Sequence, residues 1–342
     1  MSDERSMNGD RVAAACATGS SGTRSDDPAP EVTIVIPTFN RVSTLVPLLH
    51  ALVAQDAGDV TFEVVVVDNG SSDATRQAVL VAAARDSRIR YVSEPRPGAS
   101  CARNAGIACA RGSIVGFLDD DVLPARDWVR ELKRAFDEHP DVDCVGGRVE
   151  PRWPGRVPRW LTPAHCPPLA VQIDRPREYD ANHAAACLIA ANFACRRRVF
   201  DDVGVFSTAF QRDEDREFNL RLWRAGKRGR YVDALRAVAP IAPERLTKRY
   251  HRRWYETTGR NHARMRFREI IDRDGRLVPP MTGRRLFGAP GFLYRECLRD
   301  IARWGAALVR GAGADAFLYE CRTRYCVSYI RERAQLLLRA RS

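Results

Sequence analysis

Three consecutive carboxylates, Asp119-Asp120-Asp121, follow a short apolar run from Ser113 to Leu118. The run is rich in β-formers and reads as a buried strand. In an open α/β sheet, ligands sit beyond the carboxyl ends of the strands, so these acids fall in the expected crevice. Adjacent carboxylates repel one another unless a cation sits among them. Hard oxygen donors suit Mg2+ or Mn2+, and such a metal usually keeps substrate phosphates as its other ligands. The competing reading is a solvated acidic turn ahead of the next helix, with Pro124 in its first turn. A second apolar run, Phe62 to Val67, is broken only by Glu63 and stops at Asp68-Asn69-Gly70-Ser71-Ser72-Asp73. A third acidic group, Asp213-Glu214-Asp215, opens a segment in which Phe218, Leu222 and Ala225 share one helical face and Gly226 stops the helix. Acids in a first turn suit the helix dipole, and by chemistry alone capping is their better reading.

These acids need elements to position them. Val32 to Ile36 is a buried strand ended by Pro37 and followed by Thr38-Phe39-Asn40-Arg41. Ser43 is the expected N-cap of a helix with Leu45, Leu48, Leu49 and Leu52 on one face, and Pro47 is tolerable in its early turns. After Asp68, Ser72 or Asp73 caps a helix from Ala74 to Ala84. A third strand, Ile89 to Ser93, leads through Pro95-Arg96-Pro97-Gly98 into a helix from Ala99 to Ala110. Arg103 and Asn104 lie near the start of that helix, where backbone N–H groups favour anions. Strand–helix alternation at this spacing means parallel strands with crossover helices, the layout of a nucleotide-binding α/β half. No G-x-G-x-x-G follows the first strand and no G-x-x-x-x-G-K-[ST] occurs, which disfavours dinucleotide oxidoreductases and P-loop enzymes. Beyond Pro124 a helix to His139, a strand from Val142 to Val149 and a strand from Leu188 to Ala194 are expected. Pro151 to Arg177 is a long loop in which Trp153 and Trp160 either stack on an acceptor or, the preferred reading, pin the loop to the core.

Composition bounds the partners. The chain has 342 residues and a formal net charge of +12, which points to an anionic partner. Nucleic-acid binding has that charge in its favour but no recognisable module or aromatic platform. The ten cysteines form no C-x-x-C pair and read as reduced thiols serving as small hydrophobes. No apolar run approaches the ~20 residues that span a bilayer, and nothing near Met1 has the layout of a signal peptide. A cytoplasmic location is expected. Residues 1–30 read as a disordered tail.

In order along the chain stand Val-Ile-Pro-Thr-Phe-Asn-Arg (35–41), Val-Asp-Asn-Gly-Ser-Ser-Asp (67–73) and Gly-Ala-Ser-Cys-Ala-Arg-Asn-Ala-Gly (98–106). Phe-Leu-Asp-Asp-Asp (117–121), Asn-Phe-Ala-Cys-Arg-Arg (192–197) and Glu-Asp-Arg-Glu-Phe (214–218) with Arg221-Leu222 complete the series. Each alone is weak, but six in order resemble the family two glycosyltransferases, over roughly Val32 to Gly259. The resemblance implies a GT-A-type α/β fold with a mostly parallel sheet and flanking helices over 31–259, and an inverting sugar transfer from a nucleotide-diphosphate sugar. It implies that Pro37, Thr38, Asn40, Arg41, Asp68, Arg103, Asn104, Asp119, Asp120, Asn192 and Glu214 line the donor site. It implies that Asp119 and Asp121 hold Mg2+ or Mn2+, Asp121 most directly, and that Asp215 is the general base. Related enzymes often add a His ligand after the last core strand; here Ala239 falls at that place and His251 lies too far along, on what reads as a polar helix face.

Residues 260–342 lie outside that resemblance and form an expected basic, helical C-terminal appendage. Leu293, Cys297, Ile301, Trp304 and Leu308 recur at helical spacing, then Leu318, Cys321 and Tyr325, with Leu336 and Leu337 beyond. From Arg284 onward twelve arginines stand against five acids. Such helices either lie on an anionic membrane surface, peripheral to its inner face, or pack on the catalytic domain or a second subunit. The alternative to an enzyme acting on a lipid-linked, polysaccharide or small-molecule acceptor is a noncatalytic basic protein on the same fold that holds polyanions or membrane. A nucleotidyltransferase is weaker still, because its Gly/Lys-rich phosphate loop is absent.

Overall fold

The computed structural model describes residues 28–173, 175–280 and 283–340; all of the expected tail before residue 28 lies outside them. The strand–helix alternation folds as β1 (Val32–Thr38), α1 (Val42–Val53), β2 (Phe62–Asp68), α2 (Thr75–Arg85), β3 (Ile89–Ser93), α3 (Ala99–Cys109) and β4 (Ile114–Leu118). β5 (Leu123–Pro124), α4 (Trp128–Glu138), β6 (Cys144–Arg152), β7 (Glu178–Tyr179), β8 (Asn192–Arg196), α5 (Arg198–Val203), α6 (Glu214–Arg224) and β9 (Gly229–Pro240) follow. The sheet runs β3-β2-β1-β4-β8-β6-β9-β5, with β7 on β9. Pairing is parallel across β3, β2, β1 and β4. Beyond β4, β8 pairs antiparallel with both β4 and β6, and β9 pairs antiparallel with both β5 and β7. All seven residues of β1 and of β2 are buried, as unbroken apolar strands flanked by other strands and covered by helices should be. Leu45, Leu48, Leu49 and Leu52 of α1 join Ile34, Ile36, Val64 and Val66 in the core, with Trp128, Leu132 and Phe136 of α4.

Register decides where the site falls. Thr38 pairs with Asp68, so β1 and β2 end side by side, and Val35 pairs with Phe117, so β4 delivers its acids beside the end of β1. α3 lies so close to β1 that a Cβ on Gly106 would stand 2.2 Å from Val35 Cγ1. Only glycine permits that approach.

Several element ends differ from expectation. α1 starts at Val42, and the N–H of Val42 donates to Asp73 Oδ2 at 3.2 Å, so a distant loop does the capping expected of Ser43. α4 starts at Trp128 because Leu123 and Pro124 pair with β9 instead. β6 begins and ends later than the expected strand. β8 begins at Asn192, not Leu188, because the Asn219 side chain takes both backbone groups of Leu188. Eight of the nine described cysteines carry free thiols, so the reduced-thiol reading holds for those eight.

Two compact units are distinguished: residues 28–150, 172–180 and 187–239 make the first, which holds the sheet; 151–171, 181–186 and 240–340 make the second. The second contains α7 (Lys248–Arg264), α8 (Phe267–Ile270), β10 (Arg285–Leu286), β11 (Ala289–Pro290), α9 (Gly291–Val309) and α10 (Gly313–Arg339). The expected division at 259/260 therefore falls inside α7. α10 packs along both α7 and α9. A Cβ on Gly259 would meet the Tyr325 carbonyl at 2.5 Å, and Arg252 and Arg264 of α7 pair with Glu320 and Glu332 of α10. Trp160 stands edge-on to His251 and Phe317 with ring centroids 4.9 and 4.8 Å away, which is the pinning role. His251 is fully buried rather than on a polar face; its Nε2 lies 3.1 Å from the Arg245 carbonyl, and burial pushes its pKa down to about 4.

Candidate active site

The ends of β1, β2 and β4 converge in the sheet-bearing unit. Asp68 is buried, and its two oxygens are spoken for: Oδ1 accepts from the Ser71 N–H at 2.8 Å and Oδ2 from the Tyr91 hydroxyl at 2.9 Å. Asn40 adopts a left-handed backbone (φ 52°), a conformation asparagine tolerates better than most residues. Its Oδ1 accepts from the Ser72 N–H at 2.7 Å, and its own N–H donates to Ser71 Oγ at 2.9 Å. The loop after β1 is thereby stitched to the loop after β2.

Two arginines and a threonine organise the acids after β4. Thr38 Oγ1 donates to Asp120 Oδ2 at 2.9 Å, and Arg41 Nη1 bridges Asp120 Oδ1 and Asp121 Oδ2, each at 2.9 Å. Arg103 is buried and bidentate: Nη2 meets Asp119 Oδ1 at 2.8 Å and Nη1 meets Glu214 Oε1 at 2.7 Å. Burial alone would favour losing the Arg103 proton, but Asp119 and Glu214 outweigh it and hold the guanidinium charged. Burial opposes the Arg41 charge too, and Asp120 and Asp121 outweigh it. Asp120 is pushed up to about 6, chiefly by burial and against the pull of Arg41 and Thr38. It is a brace between β1 and the turn, whereas Asp119 and Asp121 are more exposed.

α6 brings the third acidic group to the same place. Glu214 reaches Arg103, and Asp215 is the next residue. Asp213, just before the helix, has a left-handed backbone (φ 62°). Asp215 is half-buried; burial first, then the charges of Glu214 and Asp213, push its pKa up to about 7, against the pull of Arg216. A carboxylate held there takes a proton near neutral pH, which plain capping does not require.

Other expected site residues have different duties. Pro37 is buried within β1. Asn104 is committed to the Phe206 backbone, donating from Nδ2 to its carbonyl at 2.8 Å and accepting its N–H at 3.0 Å. Asn192 is fully buried: it accepts from Trp128 Nε1 at 2.8 Å and donates to the carbonyls of Arg148 and Leu235 at 3.0 and 2.8 Å. Two residues not singled out from sequence support the site. Tyr91 orients Asp68, and Asn219 ties α6 to Leu188 while donating to the Asp215 carbonyl at 2.8 Å. The signal for Asn219 was a polar residue between Phe218 and Leu220 on a helix that buries all three.

Among the described residues no three His, Cys, Asp or Glu side chains gather so as to hold an ion by themselves. Ala239 is buried and offers no donor. Asp119 and Asp121 are nonetheless hard oxygen donors, each with one oxygen on an arginine. That pair fits Mg2+ or Mn2+ sharing its shell with a substrate diphosphate, rather than an ion held by protein alone.

An α/β sheet with acids from β2, β4 and α6 at one place defines a class, and the chain belongs to glycosyl transferase family 2, whose model matches residues 33–204. Glycosyltransferase AglE of Haloferax volcanii is 35% identical over 126 residues, which cover 36% of this chain and 41% of that protein. Succinoglycan biosynthesis protein ExoO of Rhizobium meliloti is 42% identical over 107 residues, 31% of this chain and 30% of that protein. The matches thus span less than two thirds of these relatives' own length. Among solved structures, mannosyltransferase PcManGT of Pyrobaculum calidifontis, in complex with GDP-Man and Mn2+, superposes with a TM-score of 0.58 at 21% identity. That alignment covers 98% of this chain and 95% of the other, and it establishes the shared GT-A fold.

Proposed function

We propose that this chain is an inverting glycosyltransferase that moves a hexosyl group from a nucleotide-diphosphate sugar to an acceptor hydroxyl. The observation that carries the reading is Arg103, whose one guanidinium ties Asp119 to Glu214 and so sets the acids after β4 beside Asp215. Asp68, held by Tyr91 and Ser71, faces the nucleoside, and Thr38, Asn40 and Arg41 shape the rim around it. Asp119 and Asp121 would hold Mg2+ or Mn2+, which when bound would supply charge neutralisation to the diphosphate leaving group. Asp215 accepts the acceptor hydroxyl proton while the oxygen attacks the anomeric carbon from the face opposite the diphosphate, and one displacement inverts that centre. The name of ExoO supports a polysaccharide or cell-envelope acceptor, and PcManGT's GDP-Man and Mn2+ support a nucleotide-sugar donor with a divalent ion. In this reading the enzyme works on the cytoplasmic side, on a lipid-linked, polysaccharide or small-molecule acceptor.

The test is thermal denaturation with UDP, GDP and dTDP sugars, with and without Mn2+ or Mg2+. A ligand at a hundred times its dissociation constant stabilises the native state by ~2.7 kcal/mol. One nucleotide should raise Tm, and metal should enlarge the shift. Folded protein that responds to none of them would overturn the reading in favour of a noncatalytic role.

A further inference from the structure

α9, in the second unit, has two unlike faces. Leu293, Cys297, Asp300 and Ala307 are buried on the inner one. The helix's two acids are both engaged: Asp300 pairs with Arg322 at 3.1 Å and Glu296 with Arg268 at 2.6 Å. On the other face Leu298, Ile301, Leu308 and Val309 are 67, 43, 61 and 90% exposed. At 3.6 residues per turn these four, with Ala302 and Gly305 between them, form one stripe spanning about 120°. Arg295 and Arg299 flank one edge of it, about 20° and 60° beyond the stripe, and Arg310 and Arg303 lie further round, about 80° and 100° beyond. None of the four forms an ion pair among the described residues; Arg303 lies over the Tyr319 ring at 5.8 Å.

The sequence pattern of the C-terminal region admitted both packing and a membrane surface, and the structure separates them by helix. α10 buries Phe317, Cys321, Cys326 and Tyr329 and packs. α9 packs on one side only, and its outer stripe contains Ile301 and Leu308 from the original periodic set. Leaving large apolar side chains in water is unfavourable by the full transfer term, so a contiguous exposed stripe calls for a cover.

We propose that the outer face of α9 docks on an anionic lipid bilayer surface, its apolar stripe entering the headgroup–acyl boundary and its arginines meeting lipid phosphates. The charge argument selects this occupant. The apolar face is edged by Arg295 and Arg299, with Arg310 and Arg303 further round and the helix's two acids already paired to Arg268 and Arg322, so it matches an apolar surface edged with negative charge. A second copy would offer the same arginines and no carboxylate to receive them. No described helix is long and apolar enough to cross a membrane, so α9 lies on the surface. This inference does not rest on the transferase reading, and its test involves no donor.

The experiment is co-sedimentation of the full chain with vesicles of pure phosphatidylcholine, or of equal parts phosphatidylcholine and phosphatidylglycerol. Binding is expected to the mixed vesicles only. Arg295→Gln, Arg299→Gln and Arg310→Gln together should weaken it by roughly five-fold per arginine. Leu298→Gln with Leu308→Gln should weaken it at least ~10-fold. Both variants change exposed side chains, and circular dichroism should show the fold intact. Wild type that ignores mixed vesicles, or variants that bind as wild type does, would overturn the proposal. So would a solution dimer that the leucine variant dissociates, because a second copy would then cover the stripe.

Discussion

Two carboxylate groups in the sheet-bearing unit differ in what neutralises them. The acids after β4 meet two guanidiniums and a hydroxyl: Arg41 and Thr38 on Asp120, Arg41 on Asp121, Arg103 on Asp119. At the start of α6, Arg103 serves Glu214, while Asp215 feels burial and two like charges more than it feels Arg216. Burial outweighs Arg41 and Thr38 at Asp120, which is pushed up to about 6, and outweighs Arg216 further at Asp215, which is pushed up to about 7. In the proposed reading Asp119 and Asp121 serve the cation and its diphosphate and Asp215 the acceptor proton, so one residue type would receive two roles from its surroundings.

The comparison breaks most visibly at Asp215. Asp215→Asn should lower turnover by about 1000-fold while calorimetric binding of the donor stays unchanged. Equal loss of binding and turnover would mean that the two groups act as one. Next in size, Arg103→Met removes the buried partner of Glu214, itself largely buried, and of the more exposed Asp119. Urea denaturation should show a loss of about 3 kcal/mol, the cost of breaking a buried pair from one side. A variant as stable as wild type would show that Arg103 is not what compensates the acids.

The pH dependence sharpens the contrast. A base with its pKa at about 7 makes kcat/KM fall about ten-fold per pH unit below that value, and the limb should be absent from the residual activity of Asp215→Asn. Stability carries the opposite sign. Because the folded-state pKa of Asp215 is raised, the native state binds the proton more tightly than the unfolded chain does. Its contribution therefore falls as pH rises from the ordinary carboxylate range through about 7. After allowance for solvent screening, Asp215→Asn should be about 1–2 kcal/mol more stable than wild type at alkaline pH, and equally stable in acid. The smallest effect is expected at Tyr91→Phe, which removes one hydrogen bond to Asp68. It should cost about 1 kcal/mol, read as a several-fold weaker donor affinity with turnover at saturation unchanged.

Much of this site was legible because strands announce their ends. The apolar runs before Asp68 and Asp119 and the helical face after Asp215 are local patterns, and each reappears with its acid at the mouth of the sheet. Asn104 and Asn192 show where legibility stops. Both sit in the expected motifs, yet Asn104 clasps the Phe206 backbone and Asn192 joins Trp128 to two carbonyls. A buried amide that braces the backbone and one that faces a ligand have the same spacing in a sequence. His251 misled in the other direction, since the charged residues around it suggested a polar face where aromatic rings bury it.

Residue order by itself determined the alternation of strands and helices, the acids at strand ends and the basic C-terminal helices, because each follows from periodicity within a few turns. Only the tertiary structure decided the partners. Arg41 meets Asp120 across 79 residues and Arg103 meets Glu214 across 111, so register and packing bring them together rather than local propensity. The rise of the Asp215 pKa to about 7 and the outward turn of Leu298 and Leu308 are likewise matters of burial. Burial belongs to the packed chain, not to any segment of it.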